Sequence, residues 1–125
     1  MIIYKHTDFY IEVHDSEIPW LKIFTTEVYK ELTDVPKPLR KQLYEVMEII
    51  EEEMLSFYKP EKINIAAFGN YLPHVHIHVM ARFKEDSFFP EPMWGDKQRE
   101  GNLTLPDAEI FYKQLVKKIN LVIKQ

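Results

Sequence analysis

The chain has 125 residues, a net charge of −4 with histidine neutral, and 46% apolar or aromatic content. That length builds one real core and is too short for two. Acids and bases are mixed along it without the basic stripe of a nucleic-acid-binding surface, and the absence of cysteine removes thiol nucleophiles, cysteine-based zinc sites and disulfides together. No apolar run approaches the roughly 18 residues that span a bilayer. The start, Met1-Ile2-Ile3-Tyr4-Lys5-His6-Thr7-Asp8, has no signal-peptide pattern. A cytoplasmic domain with neither nucleic acid nor membrane as partner is the expectation.

Residues 1–4 and 9–13 are rich in Ile, Tyr, Phe and Val, and Thr7-Asp8 between them reads as a turn, so a hairpin is predicted. His14-Asp15-Ser16-Glu17 breaks its second strand. After Pro19-Trp20, residues 21–25 alternate as a third strand, and 27–32 are read as one helical turn. Pro36 and Pro38 suit a helix start. From there Leu39, Leu43, Val46, Met47, Ile50, Met54, Leu55 and Tyr58 recur at three- and four-residue steps, the stripe of an amphipathic helix about five turns long, which Pro60 stops. The acidic run Glu51-Glu52-Glu53 is a solvated face, because consecutive helical residues do not face one another. Residues 63–68 form the fourth strand, and Gly69-Asn70 its turn.

A fifth strand, running to Phe83, holds three of the chain's five histidines at alternate positions: His74, His76 and His78. Side chains alternate across a strand, so these three share a face with Met80 and Arg82, while Val75, Ile77, Val79, Ala81 and Phe83 enter the core. As a helix the same residues would fan around the axis and build nothing. A loop with Pro90, Pro92, Trp94 and Gly95 follows. A last helix is predicted from near Thr104, where Thr104-Leu105-Pro106-Asp107 reads as a capping box. Its buried stripe is Ala108, Phe111, Leu115, Ile119 and Val122, and Lys117, Lys118 and Lys124 suit the negative pole of its dipole. Strands, helix, strands and helix in this order give an α+β domain: an antiparallel five-stranded sheet with one long and one C-terminal helix on one face.

The histidine row admits two chemical readings. Neutral imidazole is a common zinc ligand. Along a strand, however, the Cα atoms of His74 and His78 lie about 13 Å apart, so two can chelate one ion and the third must stretch; a pair completed by His14 or Asp15 would make a metal-dependent hydrolase. Alternatively, the row spreads hydrogen-bond donors along a phosphate chain, with one imidazole attacking phosphorus as a neutral nucleophile. An ordinary imidazole, with a pKa of about 6.5, is largely neutral at pH 7. Arg82 on the same face would add a planar fork for phosphate oxygens. With three glycines in the chain there is neither a Walker loop nor a dinucleotide fingerprint, and Ser16, Ser56 and Ser87 have no nucleophile-elbow context.

His74-Val75-His76-Ile77-His78-Val79-Met80 resembles the His-φ-His-φ-His-φ-φ signature, φ being apolar, of the histidine-triad (HIT) family of nucleotide hydrolases and transferases. Gly69-Asn70 sits where that family commonly has Gly-Gln, and His14-Asp15 resembles its segment with a ribose-binding acid. The resemblance is best over residues 11–82. It implies a single domain over 1–125, with 1–83 as core and 84–125 as a bacterial-type loop and helix extension. It further implies metal-independent, cofactor-free transfer from purine nucleotide esters, phosphoramidates or dinucleoside polyphosphates through a nucleotidyl-histidine intermediate on His76. His78 and His74 would bind phosphate oxygens or assist the leaving group. Asp15, Asn70 and Arg82 become nucleotide-binding candidates, Trp94 a candidate lid, and a homodimer joining two sheets is expected. A non-catalytic nucleotide-binding or regulatory module is the alternative outcome of the same resemblance. The family's further histidine after the early strand has no counterpart in Thr25-Thr26-Glu27-Val28-Tyr29, and Tyr71 replaces a small hydroxyl residue.

Overall fold

In a computed structural model describing residues 1–124, five strands form one antiparallel sheet: β1 (Ile2–Lys5), β2 (Phe9–Val13), β3 (Trp20–Thr25), β4 (Lys62–Ala66) and β5 (His76–Arg82). Their spatial order is β1-β2-β3-β5-β4, which puts the histidine strand inside the sheet and leaves β1 and β4 as its edges. Two helices, α1 (Lys37–Tyr58) and α2 (Ala108–Val122), complete the α+β architecture expected. No described helix is long and apolar enough to cross a membrane.

One face of the sheet is a pure packing surface. Ile11, Leu21, Ile23, Val79 and Ala81 are buried there with Leu43, Val46, Ile50 and Met54 of α1 in one cluster. Burying a Leu or Ile completely contributes about 1.5–3 kcal/mol, so this layer fixes the register of the sheet. Helix α1 starts where proline allows it, with Pro38 in its first turn. It ends at Lys59, whose φ of 50° is left-handed and whose N–H bonds the Leu55 carbonyl. Leu43, Val46, Ile50, Met54 and Tyr58 of the predicted stripe are buried; Ile49 joins them, and Leu55 leaves it at 45% exposed. Helix α2 packs on α1 and on β1. Its buried residues are Phe111, Leu115 and Ile119, with Ile123 rather than Val122 closing the stripe.

Three local expectations are corrected. The helical turn predicted at 27–32 is a 3-10 turn at Leu32–Asp34, where Glu31 and Asp34 cap each other. Helix α2 starts at Ala108 rather than near Thr104, because the Asp107 carboxylate accepts the Glu109 N–H and caps that turn. The histidine strand starts at His76, not before. Pro73 has no N–H for a ladder, the His74 N–H bonds the Leu72 carbonyl, and the Val75 N–H bonds Tyr29 instead of a strand partner.

Candidate active site

The second face of the sheet carries the polar chemistry. The pairing of β3 with β5 sets Phe24 opposite His76 and Lys22 opposite His78. Opposite residues of an antiparallel pair share a face, so β3 supplies a row of Trp20, Lys22 and Phe24 beside the histidines. The 84–107 segment folds over the Met80 and Arg82 end of this face, and those two residues are buried beneath it. The His76 and His78 end opens into a cavity of about 480 Å³, within the range of small-ligand pockets. Its floor is His76, His78, Lys22 and Phe24, with His14 and Trp20 on one wall. Phe68, Asn70, Tyr71 and Leu72 of the 67–75 loop form another, and Trp94 meets them. The Trp94 ring lies 4.7 Å from Phe68, 5.2 Å from Trp20 and 5.0 Å from His78. A chamber so lined accepts a flat aromatic group by stacking.

Hydrogen bonds fix which imidazole nitrogens carry protons. The His74 carbonyl lies 2.7 Å from Nδ1 of His76. A carbonyl only accepts, so Nδ1 donates, and the neutral ring keeps its lone pair on Nε2. The ring is stacked on Phe24 at 4.8 Å and 21°. His78 is the mirror case: the Trp20 indole N–H donates to its Nδ1 at 3.0 Å, which leaves the proton of the neutral ring on Nε2. Burial, helped by the charges of His76, Lys22 and His14, pushes the His78 imidazolium down to about 4. His78 is therefore neutral at pH 7. Lys22 supplies positive charge, steadied by Glu12 at 3.3 Å. Among the described residues, no group of three or more His, Cys, Asp or Glu is placed to hold a metal ion.

Of the residues singled out in the sequence, His76, His78, Asn70 and Trp94 line this cavity; His74, Asp15 and Arg82 do not. His74 lies outside the strand, and its Nε2–H donates to the Thr25 carbonyl at 2.6 Å. Asp15 is exposed beside His14. Arg82, expected to offer its fork to phosphate, is 1% exposed and fully engaged. It donates to Asp86 through Nε and Nη2, to Asn64 through Nη1, and to the Glu91 carbonyl. Asp86, four residues on and completely buried, is the reason it turns inward. The charge at the cavity comes from Lys22 instead; no signal within its own strand marks it, because the pairing of β3 with β5 is what sets it beside His78.

A sheet presenting alternate histidines, with fixed tautomers, to an aromatic chamber defines a histidine-triad domain. Residues 2–85 match the model of the HIT domain, and the chain belongs to that family of nucleotide-binding proteins, hydrolases and transferases. It is similar to a solved histidine triad protein from Bradyrhizobium japonicum at 28% identity and a TM-score of 0.78, over 95% of this chain and 90% of that one. A histidine triad protein from Sinorhizobium meliloti shares 24% identity over 94% and 87% of the two chains, with a TM-score of 0.75. One from Marinobacter aquaeolei shares 22% over 97% and 86%, with a TM-score of 0.70. Those last two speak to the fold alone. No curated protein sequence matches.

Proposed function

We propose that this protein is a nucleotidyl hydrolase or transferase whose nucleophile is Nε2 of His76. The observation that carries the reading is the 2.7 Å bond from His76 Nδ1 to the His74 carbonyl, on a ring that floors the cavity. Nε2 attacks the α-phosphorus of a purine nucleotide ester, phosphoramidate or dinucleoside polyphosphate. The bond to the leaving group breaks, and its electron pair departs with it. The ring becomes cationic as the P–N bond forms, and the Nδ1–H···O=C bond strengthens with that charge. Water then attacks phosphorus, the P–N bond breaks, and His76 returns neutral while a proton passes to solvent.

Around that step His78 donates Nε2–H to a non-bridging oxygen, and Lys22 balances phosphate charge. Asn70 serves the phosphate at the rim. Trp94, with Phe68 and Tyr71, stacks on the base. His74 acts through its carbonyl and its tie to Thr25 rather than by touching phosphate. Asp15, next in the chain to the wall residue His14, serves the ribose. A homodimer joined through a sheet edge belongs to the same proposal: edge strand β4 exposes Ile65 (43%). So do a single domain over 1–125 and a cytoplasmic setting, where such nucleotides are met.

The test is a panel of adenosine and guanosine substrates in each chemical class, read by mass for a nucleotidyl adduct on His76. Binding without an adduct for any member would leave only the nucleotide-binding module. Because the reading asks no metal of the triad, turnover is expected to be unchanged after exhaustive EDTA dialysis; loss on chelation with recovery on zinc would restore the metal reading. Lys22→Met is expected to weaken nucleotide monophosphate binding by about tenfold at low salt, since a charged hydrogen bond contributes about 1.5–3 kcal/mol. The defect should shrink in high salt. Titration calorimetry at two ionic strengths decides it.

A further inference from the structure

We infer that Trp20 is a positioning residue for His78: its indole N–H holds the imidazole as the Nε2–H tautomer and keeps that ring from becoming a cation. The tautomer is a property of the folded chain, while its consequence for turnover rests on the nucleotidyl-transfer reading above.

An indole nitrogen donates and cannot accept. Trp20 Nε1 lies 3.0 Å from His78 Nδ1, so Nδ1 must present its lone pair. Protonating Nδ1 would set two N–H groups head to head where both residues are only 6% exposed, leaving little water to relieve either. Two rings brace the indole. The His14 ring lies 4.0 Å from it on one side, and the Trp94 ring, 5.2 Å away, meets it edge-on. The sheet sets the spacing: Lys22 pairs with His78 and Trp20 with Met80, so Trp20 and His78 are diagonal neighbours on one face.

The charged and titratable groups facing His78 point the same way. His76 comes from its own strand, Lys22 from β3 and His14 from the segment after β2; each acts against a positive His78. Opposite His78 on the other side, β4 brings Ala66, while the 67–75 loop brings Phe68 and the 84–107 segment Trp94; none of these titrates. No carboxylate stands among these neighbours to reward a cation. In an ordinary enzyme site a histidine beside a phosphate often gains a proton as pH falls. Here the ring remains a neutral hydrogen-bond donor through the range in which a free imidazole, at about 6.5, would charge. It can steady a phosphoryl oxygen, but it is not the proton store for the departing group. The acid limb of the pH–rate profile then belongs to the other groups of the site.

The experiment is long-range 1H–15N correlation on histidine-labelled protein, wild type and Trp20→Phe, from about pH 5 to 8, paired with kcat on an adenosine 5′-phosphate aryl ester over the same range. In wild type His78 should show a protonated Nε2 and an unprotonated Nδ1 at every pH. In Trp20→Phe its titration midpoint should rise toward the ordinary value and the Nε2–H tautomer should lose its dominance. The variant's loss of kcat should be several-fold near pH 8, where the neutral ring can carry its proton on Nδ1, and shrink toward pH 6, where an imidazolium donates from Nε2 in any case, whereas a packing defect alone would give a loss independent of pH. A His78 imidazolium in wild type at about pH 6 overturns the inference without any variant, even if Trp20→Phe does not fold. So does an unchanged His78 pattern in a folded Trp20→Phe. If instead no adduct ever forms on His76, the proposed function fails, while the spectra still decide the role of Trp20.

Discussion

Under the proposed mechanism, replacing His76 with alanine is expected to lower turnover by at least about a thousandfold and to leave no nucleotidyl adduct, because it removes the proposed covalent nucleophile. The remaining groups would still bind. Lys22, His78 and the aromatic wall do not depend on the imidazole of His76, so nucleotide affinity should fall far less than turnover. The fold should survive as well. His76 is only partly buried, its Nδ1 bond is to a carbonyl that water can serve once the ring is gone, and the core lies on the opposite face of the sheet. Quenched-reaction mass spectrometry and a thermal melt on the same sample check both halves. An alanine variant that turns over at the wild-type rate would remove the histidine nucleophile from the mechanism altogether.

Asp86→Ala is expected to destabilise the fold strongly, by about 3–5 kcal/mol, the cost of breaking one side of a buried ion pair. Its carboxylate accepts from Arg82 at 2.9 and 3.1 Å and from the backbone N–H of Phe83, Phe88 and Phe89 at 3.0, 3.0 and 2.8 Å. Alanine would strand a guanidinium that is 1% exposed and three amide donors with it. In a domain of this size that corresponds to a melting temperature lower by roughly 10–20 °C. The pH dependence has a definite sign. Burial alone would raise the Asp86 carboxyl, but Arg82 and the three N–H groups outweigh it and hold the folded pKa below its ordinary value. Its contribution is therefore present in full above the unfolded carboxylate pKa, about 3.9, and is lost as pH falls through the lower folded value. Urea unfolding at pH 7 and again near pH 3 should show the gap between wild type and variant narrowing only in acid. A gap of less than about 1 kcal/mol at pH 7 would mean the pair is not buried as described.

Much of this fold is legible in the sequence. The hairpin, the long helix after Pro36, the order of strands and the alternation of His76 with His78 follow from local patterns in which hydrophobic period and turn chemistry agree. What the local pattern does not carry are positions decided by particular hydrogen-bond, ion-pair and packing partners. The apolar alternation continues back through Val75 and His74, yet the strand stops at His76 because the backbone there bonds Tyr29 and Leu72. Arg82 stands in the histidines' row by parity, and nothing in that row says that a carboxylate four residues later will draw it under a loop. Lys22 and Trp20 are not legible as site residues in the sequence because their role arises from strand pairing, and register across a sheet is not written in either strand alone. Thr104 and Asp107, three positions apart, are both good caps for α2, and local pattern alone does not choose between them; the structure uses Asp107, with Phe111, Leu115 and Ile119 buried beyond it.

The carbonyl that orients His76 belongs to the 67–75 loop and not to the strand that carries the ring. That loop also bears Tyr71, wholly exposed, and Leu72 at the chamber's mouth, and it is moored to the body of the protein by the Val75 amide on Tyr29 and the His74 ring on Thr25. Grip and geometry thus share one segment: a guest held against the loop's tip touches the same stretch of chain whose carbonyl orients the His76 ring.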